Sequence, residues 1–177
     1  ATNRTGRPWN RERPPRSPRI CSSVKITTLW VGKGRVKWAD AGAIEYTRRL
    51  PSHLGYTETQ IKPVAFQGSE VEVRNAEAEK ILGQLKSGDR LIALDERGDA
   101  PDSHGFAALI DQAAQLGTRR LAFAIGGPYG HGEAVRDRAW KTIRLSRMVL
   151  NHSMARMVLS EQLYRASTLL WGGQYHH

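Results

Sequence analysis

The segment of this chain best suited to do chemistry is a glycine-rich loop at residues 126–132, with the sequence GGPYGHG. It follows an apolar stretch and precedes a segment with helical character. Glycines let the backbone approach a ligand closely, and open α/β sheets bind ligands at such strand-to-helix loops. The spacing matches neither the G-x-G-x-x-G dinucleotide motif nor a phosphate-binding loop ending in Gly-Lys-Ser/Thr. The sequence therefore predicts either a ligand-binding loop or a plain strand-to-helix turn.

The elements that must position this loop alternate along the chain. Short apolar runs predict strands at Val24–Val31, Thr57–Phe66, Arg90–Asp95, Arg120–Ile125 and Ile143–Leu150. Amphipathic stretches predict helices at Lys37–Leu50, Glu70–Leu85, Ser103–Leu116, Glu133–Lys141 and His152–Leu170. This alternation is typical of an α/β fold with a mostly parallel sheet flanked by helices. The last helix is apolar over an arc wider than one sheet face requires, which favours a second subunit packed against it.

Composition limits the class of protein. With 177 residues, 40% of them hydrophobic, the chain is long enough for one domain with a core. Cys21 is the only cysteine, which excludes a disulfide within this chain and multi-cysteine zinc sites. His53, His104 and His131 lack metal-ligand spacing, so we expect no metal. No run approaches the roughly 18 apolar residues of a membrane-spanning helix, and we expect no membrane association.

Positive charge predicts a polyanionic partner. The formal net charge is +10, and basic chains bind nucleic acid through counterion release. Half of this excess lies in residues 1–23, which contain six arginines and four prolines. Such a composition predicts a disordered extension ahead of a domain at 24–177. Its arginine and serine content also fits a transit peptide remnant or a basic RNA-binding tail.

The C-terminal part of the chain carries several short motifs in a fixed order. They are IGGPYG from Ile125, RLS from Arg144, NH from Asn151, EQLYRA from Glu161 and YH from Tyr175. In order and spacing these motifs resemble those of the RlmH family of ribosomal RNA methyltransferases. A looser similarity extends upstream, so that the resemblance covers residues 24–177. Bacterial members usually carry Leu-Pro-His where this chain has Leu150-Asn151-His152. The Asn form is more similar to plant and algal members, which favours an organellar type.

The resemblance implies a SPOUT-class α/β fold whose C-terminal part forms a trefoil knot and binds S-adenosylmethionine. Sequence physics alone would not predict a knot, because knots are nearly absent from protein folds. Carried over position by position, the implied cofactor contacts are Leu94, Gly126, Gly127, Ser146, Arg147, Met148, Val149, Leu150 and Asn151. Loops of this kind supply backbone groups and apolar walls for an adenine ring.

The resemblance also implies the acceptor, N3 of a pseudouridine in large-subunit ribosomal RNA, and an active site formed between the subunits of a homodimer. Because N3–H must lose its proton before or during attack, a positioned base or clamp would help. The implied catalytic candidates are His152, Arg165, Tyr175 and His176. Arg165 would hold a phosphate or a base carbonyl, with Glu161 as a supporting group, and Tyr175 would stack on a base.

Each candidate also has a structural interpretation that needs no family. His152 can cap the last helix, Arg165 can pair with Glu161 one turn away, and the ending Tyr-His-His can be a frayed end. Three functions therefore stay open. They are methylation of ribosomal RNA, methylation of another RNA such as transfer RNA, and ribosome binding without catalysis. A transit peptide would place the protein in an organelle, with the chloroplast favoured over the mitochondrion, and without one we expect the cytoplasm.

Overall fold

The computed structural model describes residues 24–33 and 36–175. Within these residues, five strands and five helices alternate, with one short 3-10 turn at Ser52–Leu54. The strands are β1 (Lys25–Val31), β2 (Thr57–Ile61), β3 (Asp89–Asp99), β4 (Arg120–Ile125) and β5 (Lys141–Ile143). The helices are α1 (Lys37–Thr47), α2 (Glu70–Leu82), α3 (Ser103–Gln115), α4 (Glu133–Arg138) and α5 (His152–Trp171).

The strands form one sheet in the order β2-β1-β4-β3-β5, and every pair of neighbours is parallel. β1 and β4 lie in the middle and are buried on both faces, which explains their nearly continuous apolar runs. One face packs against α3 and α5, and the opposite face against α2 and α4. The predicted class, a parallel sheet flanked by helices, is confirmed.

The long helix α5 packs between two neighbours within the same chain. It contacts α1 on one side and α3 on the other. Gly42 lets α1 come close, since a Cβ there would lie 2.7 Å from the Met157 sulfur. The wide apolar arc of α5 is therefore covered by α1 and α3, and the arc alone gives no reason to expect a second subunit. No helix in the part of the chain that the structure describes is both long and apolar enough to cross a membrane.

A cluster around Arg156, here called the Arg156 network, connects α5 to β2, α1 and β1. The Arg156 guanidinium is 9% exposed. Its Nε and Nη2 donate to the two carboxylate oxygens of Glu58 on β2, at 2.5 and 2.8 Å. Nη1 donates to Asp40 on α1, and the guanidinium lies 4.8 Å from the ring centroid of Trp30. Every side of this buried cation is thus occupied by a partner from the same chain.

The main error of the sequence prediction concerns the last strand, expected at Ile143–Leu150. β5 is only Lys141–Ile143 long, and residues 144–151 form a loop. Two apolar residues of that loop stay accessible, with Met148 76% and Val149 81% exposed, whereas Leu145 and Leu150 pack against the core. Hydrophobicity alone cannot distinguish an apolar loop from a buried strand. The predicted helix at Glu133–Lys141 was accordingly too long and ends at Arg138.

Two other strands differ in length from the prediction. β2 ends at Ile61 and not at Phe66. β3 continues to Asp99 because it carries a bulge, where Leu94 and Asp99 both pair with Ile143.

The trefoil knot stays a prediction. The proposed extension at residues 1–23 lies outside the described residues.

Candidate functional site

A cavity of about 770 Å³ opens at the edge of the sheet where β3, β4 and β5 end. Leu94, at the bulge of β3, pairs with Ile125 and Ile143, the last residues of β4 and β5, so these three residues lie side by side. In open α/β sheets, ligands bind outside the carboxyl ends of the strands. The walls of the cavity are formed by the C-terminal part of β3, the glycine loop and the loop after β5. The volume lies within the range of pockets for drug-sized molecules, about 300 to 1,000 Å³.

The glycine loop is held in a closed turn. The Gly130 N–H donates to the Gly127 carbonyl oxygen at 3.0 Å, and the same two residues form an isolated bridge. Pro128 occupies the second position of this turn, where its fixed φ is favourable. Gly130 has a φ of 77°, which glycine adopts without the strain that other residues experience. The sequence of the loop thus dictates its shape.

The side chain of Glu77, on α2, packs against the glycine loop. The residue is 2% exposed, and its Oε1 accepts a hydrogen bond from the Val64 N–H at 3.0 Å. Oε2 is buried without a hydrogen-bond partner. A Cβ on Gly127 would come within 2.6 Å of that oxygen. The glycine at 127 is therefore required by close packing on a buried carboxylate, independently of any ligand.

His131, Asp95 and Arg136 form a linked group on the cavity wall. His131 Nε2 donates to the Ala124 carbonyl oxygen at 3.2 Å, while Nδ1 is buried without a partner. Burial lowers the pKa of His131 below its ordinary value of 6.5. Arg136 Nη1 donates to the His131 carbonyl oxygen at 2.6 Å and lies 3.5 Å from Asp95 Oδ2. The imidazole is thus neutral, and the Asp95 carboxylate has a partner.

The loop after β5 forms the opposite wall. Ser146 Oγ accepts a hydrogen bond from the Met148 N–H at 2.9 Å, which closes a local turn. At the end of the loop, Asn151 Oδ1 accepts the Met154 N–H at 2.9 Å and caps α5. Asn is among the preferred N-cap residues. Asn151, and not His152, therefore caps the helix, which removes the structural interpretation of His152.

His152, the first residue of α5, lines the cavity. Its ring faces that of Trp30, with centroids 6.3 Å apart and planes 15° from parallel. Gly32 leaves the room for this arrangement, since a Cβ there would lie 2.2 Å from the indole of Trp30 and 3.1 Å from His152. Trp30 thereby limits the positions open to the imidazole.

The cavity brings together most of the predicted site residues. Those that line it are Leu94, Gly126, Gly127, Ser146, Met148, Val149, Leu150, Asn151 and His152. The exposed Arg147 lies on the same loop but is not part of the lining. Arg165 and Tyr175 are also absent from it, and His176 lies outside the described residues.

Arg165 and Glu161 of α5 form a separate cluster with Tyr175, which follows the helix. Arg165 Nε donates to Glu161 Oε1 at 3.0 Å, and its guanidinium lies 4.7 Å from the centroid of the Tyr175 ring. The Tyr175 hydroxyl donates to the same carboxylate oxygen at 3.2 Å. A hydrogen bond with Tyr46, partial burial and the Glu161 charge raise the pKa of Tyr175. The phenol is therefore protonated at neutral pH, which suits stacking or hydrogen bonding better than proton abstraction.

Sequence reasoning did not assign roles to several residues of the cavity wall. They are Asp95, His131, Arg136 and Arg144, together with Glu77 behind the glycine loop. Three of them lie in sequence features already described: Asp95 in the upstream stretch of looser similarity, His131 in the GGPYGHG loop and Arg144 at the start of the RLS motif. Glu77 gave no signal in the sequence, because its role depends on a contact between residues 50 positions apart. Among the described residues, no group of three or more His, Cys, Asp or Glu side chains is arranged to hold a metal.

Comparison with known proteins identifies the family. The model of the family described as "Predicted SPOUT methyltransferase" matches residues 24–176. A ribosomal RNA large subunit methyltransferase H from Trichlorobacter lovleyi is 42% identical over 154 residues, covering 87% of this chain and all of the relative. The protein of the same name from Porphyromonas gingivalis is 39% identical over 157 residues, covering 87% of this chain and 99% of the relative.

Among solved structures, the SpoU methyltransferase AviRb from Streptomyces viridochromogenes matches with a TM-score of 0.45 and 17% identity, covering 88% of this chain and 64% of that one. The family match confirms the prediction of an S-adenosylmethionine-dependent RNA methyltransferase that resembles RlmH. The organellar type stays a prediction. The chain belongs to the SPOUT methyltransferase family, in the group of the ribosomal RNA large subunit methyltransferases H.

Proposed function

We propose that this chain methylates N3 of a pseudouridine in large-subunit ribosomal RNA, with S-adenosylmethionine as the methyl donor. The observation that carries the proposal is the convergence of three distant stretches on one cavity. Leu94, residues 126–131 of the glycine loop and residues 146 and 148–151 line it together, with His152 beside them. The names of the relatives supply the ribosomal RNA. The net charge of +10 suits a polyanionic substrate.

The residues of the cavity fit this cofactor. Leu94, Ile125 and Leu150 offer apolar surface for an adenine ring, and the glycines expose backbone groups for its edge. The buried Nε of Arg144 has no partner in the described chain, as expected for a site that receives an anionic group. A bound S-adenosylmethionine supplies an activated methyl carbon. The protein then mainly has to align the acceptor and exclude water.

His152 is the side chain we assign to the proton of N3. Of the predicted catalytic residues that the structure describes, it is the one on the cavity wall. Its contact with Trp30 limits the mobility of the ring. A neutral imidazole at this position would accept the proton as the acceptor nitrogen attacks the methyl carbon. His152→Gln should therefore reduce methyl transfer by about 100-fold or more while cofactor binding persists.

Arg165 and Tyr175 fit the same site if a second copy of the chain supplies them. Met148 and Val149 are the most exposed of the large apolar side chains that the structure describes, and both border the cavity. Burying them against a partner would be favourable. We expect a dimer by light scattering and a monomer for Val149→Glu. A monomeric wild type that methylates at full rate would contradict the shared site.

The decisive experiment maps the methylated nucleotide. Purified protein is incubated with methyl-labelled S-adenosylmethionine and either large-subunit ribosomal RNA, assembled ribosomes or transfer RNA, and mass spectrometry locates the label. We expect 3-methylpseudouridine in the large-subunit RNA. Label in transfer RNA would support the alternative substrate. RNA binding without any label, for the wild type and for a variant lacking residues 1–23, would identify a non-catalytic ribosome-binding protein.

We also propose an organellar location, with the chloroplast favoured. The support is compositional, since residues 1–23 carry six arginines and one acidic residue. A fluorescent fusion to the complete natural precursor should accumulate in chloroplasts. Uniform cytoplasmic fluorescence would contradict this assignment.

A further inference from the structure

Arg144 presents an unpartnered cation to the cavity. It follows β5 directly, and its backbone N–H donates to the Asp99 carbonyl oxygen at 2.8 Å. Its side chain lines the cavity, and its Nε atom is buried without a hydrogen-bond partner. No ion pair joins its guanidinium to a carboxylate in the part of the chain that the structure describes. Burying a charged donor without a hydrogen-bond partner costs free energy of folding. We therefore expect an acceptor from a bound ligand.

The other charged groups of the cavity do not supply that acceptor. The Asp95 carboxylate receives the Arg97 N–H at 3.0 Å and lies 3.5 Å from Arg136. Glu70 and Glu96 are exposed residues of the lining. None of these carboxylates contacts the Arg144 guanidinium within salt-bridge distance. Arg144 is therefore available to an anion that enters the cavity from outside the chain.

The backbone around Arg144 is rigid enough to aim its side chain. Ile143 pairs with both Leu94 and Asp99 across the bulge of β3. Gly98 in this bulge packs so closely that a Cβ would lie 2.6 Å from backbone atoms of Ile143. The Asp99 hydrogen bond then fixes the next residue. A guanidinium with a fixed base and no carboxylate partner among the described residues suits a planar carboxylate, which it can bind with two parallel hydrogen bonds.

We propose that Arg144 binds the carboxylate of the methionine part of S-adenosylmethionine and thereby distinguishes this cofactor from analogues without the carboxylate. The inference rests on the proposed function, because it assumes that the cavity receives this cofactor. Two observations favour the cofactor over an RNA phosphate. Arg144 lines a cavity with the volume of a small-molecule site, and it precedes the predicted cofactor run by only two residues.

The test compares two ligands by isothermal titration calorimetry. Decarboxylated S-adenosylmethionine keeps the adenosine, the sulfonium and the amine and lacks only the carboxylate. Wild-type protein should bind S-adenosylmethionine about 10- to 100-fold more tightly, as expected for charge-assisted hydrogen bonds. Arg144→Gln should lose this preference, and Arg144→Lys should keep part of it. Arg119→Gln, which removes an exposed charge just before β4 at the opposite edge of the sheet, is the matched control and should keep all of it.

The outcomes separate this inference from the proposed function. If wild-type protein binds neither ligand, the cofactor assignment itself fails. If it binds both equally, or if Arg144→Gln weakens both by the same factor, the carboxylate role of Arg144 is overturned while the cofactor assignment stands. If Arg144→Gln leaves the ligand preference intact but weakens binding of a large-subunit RNA hairpin in fluorescence anisotropy, the anion is an RNA phosphate, which also overturns it.

Discussion

Two arginines of this molecule, Arg156 and Arg144, show how a fold and a site treat the same chemical group differently. Arg156 is enclosed by Glu58, Asp40 and Trp30, all from its own chain. Arg144 has a buried Nε atom with no partner. A buried cation whose partners are all internal fixes the position of helices, whereas one that lacks a partner indicates a ligand. An unsatisfied donor on a cavity wall is therefore a better guide to function than charge alone, whereas the unsatisfied Oε2 of Glu77 lies behind the glycine loop and reflects packing.

The largest expected effect tests the structural side of this comparison. Arg156→Met would leave two carboxylates without their shared cation, at a cost of about 3 to 5 kcal/mol in the free energy of unfolding. For a domain of this size, the melting temperature should fall by about 10 °C. Thermal and urea denaturation measure both quantities. Arg144→Met is the matched control and should change stability by less than about 1 kcal/mol, because it removes no internal pair. Equal losses in the two variants would refute the distinction.

A smaller loss of stability is expected for Gly127→Ala, at the contact between the glycine loop and the buried Glu77. Gly127→Ala would place a Cβ 2.6 Å from Glu77 Oε2, and the carboxylate could move only by straining its bond to the Val64 N–H. We expect overpacking of about 1 to 3 kcal/mol and a loss of S-adenosylmethionine affinity of about 10-fold or more. Denaturation and calorimetry on the same preparation distinguish the two. Unchanged affinity would show that the loop adapts without reshaping the cavity.

The smallest effect is a dependence of stability on pH. Burial lowers the pKa of His131 in the folded protein. As the pH falls, this histidine is therefore protonated in the unfolded chain before it is protonated in the folded chain. Stability should therefore fall as the pH drops below about 6.5, by at most about 1.4 kcal/mol per pH unit. His131→Asn should flatten this dependence between pH 7 and 5. A wild-type melting temperature that is constant over that interval would be the contrary result.

The parts of the fold that the sequence predicts are those fixed by local pattern. The alternation of apolar runs and amphipathic stretches was sufficient for the parallel sheet and for α5, which begins at His152 as expected. The same reasoning misplaced β5, because the apolar residues Met148 and Val149 line the cavity and are mostly exposed, outside the core. A hydropathy pattern does not distinguish an apolar residue of the core from one that lines a cavity.

The cofactor residues and the catalytic residues differ in the same way. The predicted cofactor residues lie on two loops and one strand end, and all of them but Arg147 line the cavity. Arg165 and Tyr175 are bound to Glu161 within the chain, and their catalytic role stays a prediction that depends on a second copy. Arg144 opens the RLS motif, but neither its lack of an internal partner nor the role of Glu77 could be found by pattern, because an unsatisfied atom exists only once the whole chain has folded.

The closed turn between Gly127 and Gly130 has a thermodynamic consequence. The turn bond, the bridge and the bond from His131 to the Ala124 carbonyl tie the loop back to the strand from which it leaves. A ligand that enters the cavity therefore meets a wall that is already shaped, and little conformational entropy is lost in ordering it. Binding should consequently be fast and accompanied by little backbone rearrangement, with hydrogen-exchange protection of residues 126–131 nearly the same before and after the ligand is added.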